Sequence, residues 1–237
     1  TWWNDDATKG TYVVQSGGGL YYNPAIPEVR ELIVNGVREI IENYDVDGIH
    51  FDDYFYPYDM ENSFDAAVYA QSGTTLSLGD WRRSHVSAMV ERVYATIKNY
   101  DSSILFGISP SGNIDNTYGL LYADVYTWMS RAGYIDYICP QIYWGFEHKT
   151  LPYASTVKEW ANLVTADGVD FYVGIAGYRI GEDGEWSQSG DLLARQIKTA
   201  RQANRYAGFS IYSYTSLFIS DSQLHRSEQQ NVKDLLN

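Results

Sequence analysis

The chain has 237 residues, enough for one large domain or two small ones, and its 45% hydrophobic content can fill a sizeable core. The net charge of −13 and pI of about 4.6 argue against a basic nucleic-acid face, and no apolar run approaches the roughly 20 residues of a membrane span. The single cysteine, Cys139, excludes an intramolecular disulfide and any cysteine-based zinc spacing.

In chain order, residues 1–26 supply at most a hairpin around Gly17-Gly18-Gly19, between Thr11–Val14 and Leu20–Tyr22. Pro27–Tyr44 reads as a helix with Pro at its start and Val29, Ile33, Val37, Ile40 and Ile41 on one face. Val46–Tyr54 reads as a short buried strand. A helix follows from about Asp80, a candidate N-cap, to Tyr100. Ile104–Ser109 is the next strand and Leu120–Ala132 the next helix. The pattern repeats with strand Tyr137–Tyr143, helix Tyr153–Ala166, strand Phe171–Tyr178, helix Ser189–Arg205, strand Gly208–Tyr214 and a closing helix Asp221–Leu236.

Five β-then-α units in succession require parallel strands joined by helical crossovers. Long loops after the strands and short ones before them point to a barrel whose function sits at the C-terminal strand ends. No glycine-rich phosphate fingerprint follows a strand, which disfavours a dinucleotide-binding sheet. The expected fold is a TIM-type (β/α)8 barrel of which strands four to eight are evident, forming a single domain over residues 1–237. On this reading Thr1 is not the native start, and the chain begins in the loop after strand three.

Neighbouring side chains on a strand face opposite ways. Ile49 and Phe51 therefore face the helices, leaving His50, Asp52 and Tyr54 inward. The same parity turns Phe106, Ile108, Ile138, Ile142, Phe171, Val173 and Ile175 outward. It turns Gly107, Ser109, Cys139, Gln141, Tyr143, Tyr172, Gly174, Ala176 and Tyr178 inward. A barrel interior built for stability favours bulky branched residues. His, Asp, Gln, Ser and Tyr are poor core material unless they have a task.

Two adjacent carboxylates, Asp52 and Asp53, end the first of these strands and are the catalytic candidates. Like charges resist joint ionisation, so one of the pair can stay protonated and act as a general acid. Asp53 joins Asp52 only if the chain bends, since parity turns it away. Capping a turn, or pairing with Arg82 or Arg83, is the structural alternative for either. Glycoside hydrolysis commonly uses two carboxyls. Asp115, Glu147 and Glu182 are further candidates in the strand-end loops. A route in which the sugar's own N-acetyl group is the nucleophile relaxes that need, with Tyr143 holding the acetamide.

The chain carries 22 Tyr, 7 Trp and 8 Phe, more tyrosine than a core needs, because each buried hydroxyl requires a partner. Flat rings with a polar handle suit the C–H faces and hydroxyl edges of sugars. His50, Tyr54, Tyr56, Ser109, Gln141, Tyr143, Trp144 and Tyr178 are the expected substrate-binding residues, with Tyr56, Trp144 and Tyr178 as stacking platforms. No two of the four histidines have helical ligand spacing; His50 with Asp52 could join a metal site only with a further ligand from a distant loop, so the expectation is no metal and no cofactor. No serine-nucleophile motif is present either.

The runs Asn23-Pro24, Pro27-Glu28-Val29-Arg30 and Tyr44 through Pro57, with Asp47-Gly48-Ile49-His50-Phe51-Asp52-Asp53-Tyr54 at its heart, resemble the glycosyl hydrolase-like 10 family. So do Trp81-Arg82-Arg83, Phe106-Gly107-Ile108-Ser109-Pro110, Tyr122-Ala123-Asp124 and Asp136 through Trp144. The resemblance implies a barrel glycosidase of bacterial envelope or secreted proteins, acting on a polysaccharide such as peptidoglycan strands. It implies three earlier strands whose residues would complete the site. It implies neither nucleic-acid binding nor membrane insertion, and the sequence does not set an oligomeric state. A looser likeness is to family 18 chitinases: Asp47-Gly48 and Asp52 fit their strand-four pattern, whereas Tyr54 stands where their catalytic Glu lies. A non-catalytic glycan-binding module is the alternative reading.

Overall fold

The computed structural model describes every residue except Asp53, Tyr54, Asp221 and Asn237. An N-terminal hairpin pairs β1 (Val13–Ser16) with β2 (Gly19–Tyr22). The helix α1 (Pro27–Asn43) leads to β3 (Gly48–Phe51), and α2 (Ala66–Gln71) with α3 (Leu78–Tyr100) leads to β4 (Leu105–Ile108). Two short helices, α4 (Ile114–Gly119) and α5 (Val125–Ser130), precede β5 (Tyr137–Ile138). Then come α6 (Tyr153–Leu163), β6 (Asp170–Ala176), α7 (Glu185–Gln188), α8 (Leu192–Ala200) and β7 (Tyr206–Tyr212). The short α9 (Tyr214–Phe218) and α10 (Gln223–Leu236) close the sequence of elements.

The strands β3 to β7 form one five-stranded parallel sheet in sequential order. Each strand pairs with the next after a helical crossover, as in a β/α barrel, and the sheet is open among the described residues. The side-chain alternation follows parity. Ile49, Phe106, Ile108, Ile138, Phe171, Val173 and Ile175 are buried in one continuous core with Val34, Val37, Val86, Val90, Val93, Ile97, Trp160 and Ile197 from the helices.

On the inner face, small residues lie opposite large rings. The Tyr137 ring lies over Gly107, where a Cβ would sit 2.0 Å from the ring. Tyr137 in turn meets Tyr172 edge-on at 5.3 Å and stacks beside His50 at 5.8 Å. The lower inner face is thus aromatic and packed, and the space above it lies toward the C-terminal strand ends.

Several element boundaries differ from the sequence expectation. Ser77, not Asp80, caps α3: its hydroxyl accepts from the Asp80 backbone N–H at 3.1 Å and donates to the Asp80 carboxylate at 2.6 Å. In α1 the buried stripe is Val29, Val34, Val37 and Ile41, whereas Ile40 is 37% exposed. Of the predicted helix 120–132 only α5 forms: α4 has already ended at Gly119, and Tyr122, with a φ of 53° that no helix tolerates, separates the two. The predicted strand 137–143 ends at Ile138, because Pro140 has no N–H to donate to a ladder. The Pro140 carbonyl instead accepts from Ile142 and Gly174 at 3.0 Å each, and Gln141 resumes parallel bridges to Ser111 and Gly174.

The loop after β3 is fixed by a buried ion pair. Arg82 of α3 is fully buried and donates through Nε to both oxygens of Asp65, at 3.1 and 2.9 Å. The Tyr56 hydroxyl donates to Asp65 at 3.2 Å, and Arg82 Nη1 donates to the Tyr122 hydroxyl at 2.8 Å. The guanidinium also lies over the Tyr122 ring, 4.8 Å from its centroid. The strained φ of Tyr122 persists because this cluster over-determines its position. Arg82→Met leaves the buried Asp65 charge uncompensated and should cost about 3–5 kcal/mol of stability. Urea denaturation checks this, and Arg82→Met combined with Asp65→Leu should recover much of the loss.

A second buried carboxylate sits on α10. Glu228 accepts from the backbone N–H groups of Leu192 and Leu193, at 2.8 and 3.1 Å, where α8 begins. Burial pushes its pKa up to about 7 against the lowering effect of those two bonds. The folded state therefore holds this proton more tightly than the unfolded state. Stability from this group is fully present below the usual glutamate value of about 4.3 and is lost as pH rises through about 7. In thermal melts from pH 5 to pH 8, Glu228→Gln should remove this part of the pH dependence.

Candidate active site

The C-terminal ends of β3, β4 and β5 bring three predicted residues together. Asp52 follows β3, Ser109 follows β4 and Gln141 follows the Pro140 break in β5. Gln141 Nε2 donates to Asp52 Oδ1 at 2.6 Å and to the Ser109 carbonyl at 3.0 Å. Both amide hydrogens have fixed acceptors, so the Gln141 amide has one orientation and holds one carboxylate oxygen of Asp52 in place. Asp52 is solvent-exposed. Ser109 is buried and its hydroxyl donates to the Cys139 carbonyl at 2.9 Å, so it shapes the floor through its backbone.

His50 lies one layer deeper than Asp52. Its Nδ1 lies 2.8 Å from the Tyr137 hydroxyl, a hydrogen bond. Desolvation among the inner rings lowers the His50 pKa, and the Asp52 charge partly offsets this. Burial pushes the Tyr137 phenol up to about 12, so it remains protonated in that bond. Burial likewise pushes the Cys139 thiol up to about 12, which leaves it inert.

Tyr143, whose phenol feels the Asp52 charge, belongs to a cluster of three tyrosines. Tyr143 stacks beside Tyr212 with centroids 6.0 Å apart and planes 21° apart. Tyr178 stands edge-on to both, at 5.8 and 6.2 Å. Tyr212 is 60% and Tyr178 45% exposed, so ring surface is open to solvent. Burial and the nearby negative groups, Asp52 among them, push the Tyr143 phenol pKa up, so its hydroxyl is a donor at neutral pH. A cleft of about 440 Å³ runs along His50, Phe51 and Asp52 and is walled by Tyr21, Tyr22 and Phe55.

The structure corrects one expected platform. Tyr56 is 1% exposed and bound to Asp65, because the Arg82 cluster draws it into the core. It cannot stack on a ligand. Trp144 is half-buried: the end of its indole abuts Gly112, and His148 lies beside it at 5.5 Å. Asp53 and Tyr54 lie outside the described residues. Of the loop carboxylates, Glu182 pairs with Arg179 at 2.7 Å, Asp115 lies in the first turn of α4, and Glu147 is exposed after β5.

Tyr212 was not among the expected residues, although parity on β7 reaches it: Phe209 and Ile211 are the less exposed set, and Gly208, Ser210 and Tyr212 alternate with them. Arg179, Glu185 and Gln196 were also missed. They act on backbone groups of another loop, and no spacing rule signals that. Among the described residues no group of three or more His, Cys, Asp or Glu side chains could hold a metal ion, and no helix is long and apolar enough to cross a membrane. The arrangement is an oriented carboxylate beside a protonated phenol in an aromatic-walled mouth. It can bind a sugar ring, orient a polar substituent on it and stabilise developing positive charge.

Residues 2–189 match the family described as glycosyl hydrolase-like 10. The chain is 37% identical over 227 residues to "Glycosyl hydrolase YngK" of Bacillus subtilis (strain 168), covering 87% of this chain and 44% of that protein. It is 34% identical over 208 residues to "Glycosyl hydrolase DigH" of Escherichia coli (strain K12), covering 78% of this chain and 47% of that protein. The chain therefore spans less than half the length of either relative. The glycoside hydrolase domain of PgaB (BpsB) from Bordetella bronchiseptica matches with a TM-score of 0.61 at 11% identity, covering 92% of this chain and 66% of that one. That likeness is one of fold, and the five-stranded sheet corresponds to strands four to eight of a TIM-type barrel. The chain belongs to the glycosyl hydrolase-like 10 family.

Proposed function

We propose that this glycosyl hydrolase-like protein cleaves glycosidic bonds in an N-acetylated bacterial polysaccharide, foremost the glycan strands of peptidoglycan, in the cell envelope or outside the cell. The observation that carries this reading is the Asp52 carboxylate, held by Gln141 and near enough to Tyr143 to raise its phenol pKa, with Tyr178 and Tyr212 packed against Tyr143. The partner in this reading is the polysaccharide substrate. The strongly acidic chain does not suit nucleic acid, and nothing in the reading calls for insertion into a membrane.

In this reading the Asp52 carboxylate, oriented by Gln141, accepts from the N–H of a 2-acetamido group. In that role Asp52 turns the acetamido carbonyl oxygen toward the anomeric carbon. The Tyr143 hydroxyl is the donor available to hold that carbonyl. Attack by the carbonyl oxygen forms a bond to the anomeric carbon as the glycosidic C–O bond breaks, and a proton from a general acid passes to the departing oxygen. Water then opens the cyclic intermediate and restores the acetamide. Asp53, adjacent to Asp52 in sequence, is our candidate for the acid.

Reducing-end release from denuded glycan strands tests the assignment directly. Asp52→Asn should lower release by about 10²–10⁴-fold while the protein stays folded. Equal release by wild type and Asp52→Asn would overturn the assignment. Binding across a glycan panel with no turnover would favour the non-catalytic module. Gln141→Leu removes the bond that orients Asp52. It should lower kcat about 10- to 100-fold, the equivalent of the ~1.5–3 kcal/mol of a hydrogen bond to a charged group.

A further inference from the structure

The loop after β5 is held at successive backbone groups by side chains from later in the chain. Arg179 Nη1 donates to the Tyr143 carbonyl at 3.0 Å, and Gln196 Nε2 donates to the Trp144 carbonyl at 2.9 Å. Glu185 accepts from the backbone N–H of Phe146 through Oε2 and from that of Glu147 through Oε1, each at 3.0 Å. The Gly145 carbonyl accepts from the Tyr153 N–H at 3.0 Å.

Two features set Glu185 apart within this clamp. Its carboxylate is seated directly on Gly145, where a Cβ would lie 1.7 Å from Oε1, so only glycine admits it. Each of its oxygens is also taken by a backbone N–H, a charge-assisted arrangement that leaves it poorly placed as a proton donor. A loop at a protein surface can satisfy its N–H groups with water. Holding two of them on one carboxylate fixes the loop's shape, and what the loop carries is Tyr143 and Trp144. Arg179, whose guanidinium lies 5.1 Å from the Trp186 ring centroid, ties the same clamp to the residue after Glu185.

We propose that Glu185 is a positioning residue for glycan binding: by holding the Phe146 and Glu147 N–H groups it keeps Trp144 and Tyr143 in their ligand-bound arrangement before the ligand arrives. Affinity then escapes the entropy cost of ordering the loop on binding. The inference rests on the glycan reading above and adds a residue that no contact with the sugar would reveal.

Calorimetric titration with N-acetylchitohexaose, combined with amide hydrogen exchange, tests it. Glu185→Ala and Trp144→Ala should each weaken binding about ten-fold, and the double variant should bind no more weakly than Trp144→Ala alone. Glu185→Gln keeps an acceptor for one N–H and should recover part of the loss. The Phe146 and Glu147 amides should exchange faster in Glu185→Ala, while those of Ile138 and Cys139 are unchanged. Gly145→Ala, which leaves Glu185 in place but displaces its carboxylate, should reproduce the weakened binding if Glu185→Ala folds poorly. Wild-type affinity in Glu185→Ala, or losses that multiply in the double variant, would overturn the positioning role alone. A wild-type protein that binds no hexamer would overturn the glycan reading and this inference together.

Discussion

The Arg82–Asp65 pair is the interaction on which the mouth of the sheet depends. Two opposite charges have been taken out of water, which is tolerable only because nearly every donor and lone pair finds a partner. Those partners come from the loop after β3, from α3 and from the turn at Tyr122. The pair therefore fixes the return path of the chain that has just delivered Asp52 to the strand end. The same demand for partners draws Tyr56 inward and removes it from the set of rings that could meet a ligand.

The sheet solves a second problem by alternation. Branched residues on one face meet the helices, as parallel strands require. On the other face glycine makes room for tyrosine, so the lower layer fills with rings while the layer above carries Asp52, Gln141 and Tyr143. The break at Pro140 belongs to this division. The proline interrupts the ladder without shifting it, and Gln141 keeps the register of its neighbours through bridges to Ser111 and Gly174. The Pro140 carbonyl accepts from Ile142 and Gly174, and from this in-register position the Gln141 amide reaches across to Asp52.

Membership of the glycosyl hydrolase-like 10 family and the geometry of the mouth support the same chemistry from independent directions. The family match speaks to ancestry, and the geometry speaks to what the side chains can do. The chain spans less than half the length of these curated relatives. The clamp of Arg179, Glu185 and Gln196 holds the loop that carries Tyr143 and Trp144.

The sequence by itself determined the alternation of strands and helices, the parallel order, the hairpin at Gly17–Gly19 and which face of each strand meets the core. All of these follow from local periodicity, and burial is the strongest force acting on a periodic pattern. It also placed Asp52, Gln141 and Tyr143 on one face, since parity is a local property. Only the tertiary structure decided which tyrosines are open. Tyr56 and Tyr178 look alike in sequence, but one meets a buried ion pair and the other does not. It also decided that Ser77 and not Asp80 begins α3, because capping depends on which side chain reaches a free N–H. Glu185 and Gln196 bond to the backbone of a loop about 40 or more residues earlier in the chain, and backbone groups leave no mark in a sequence.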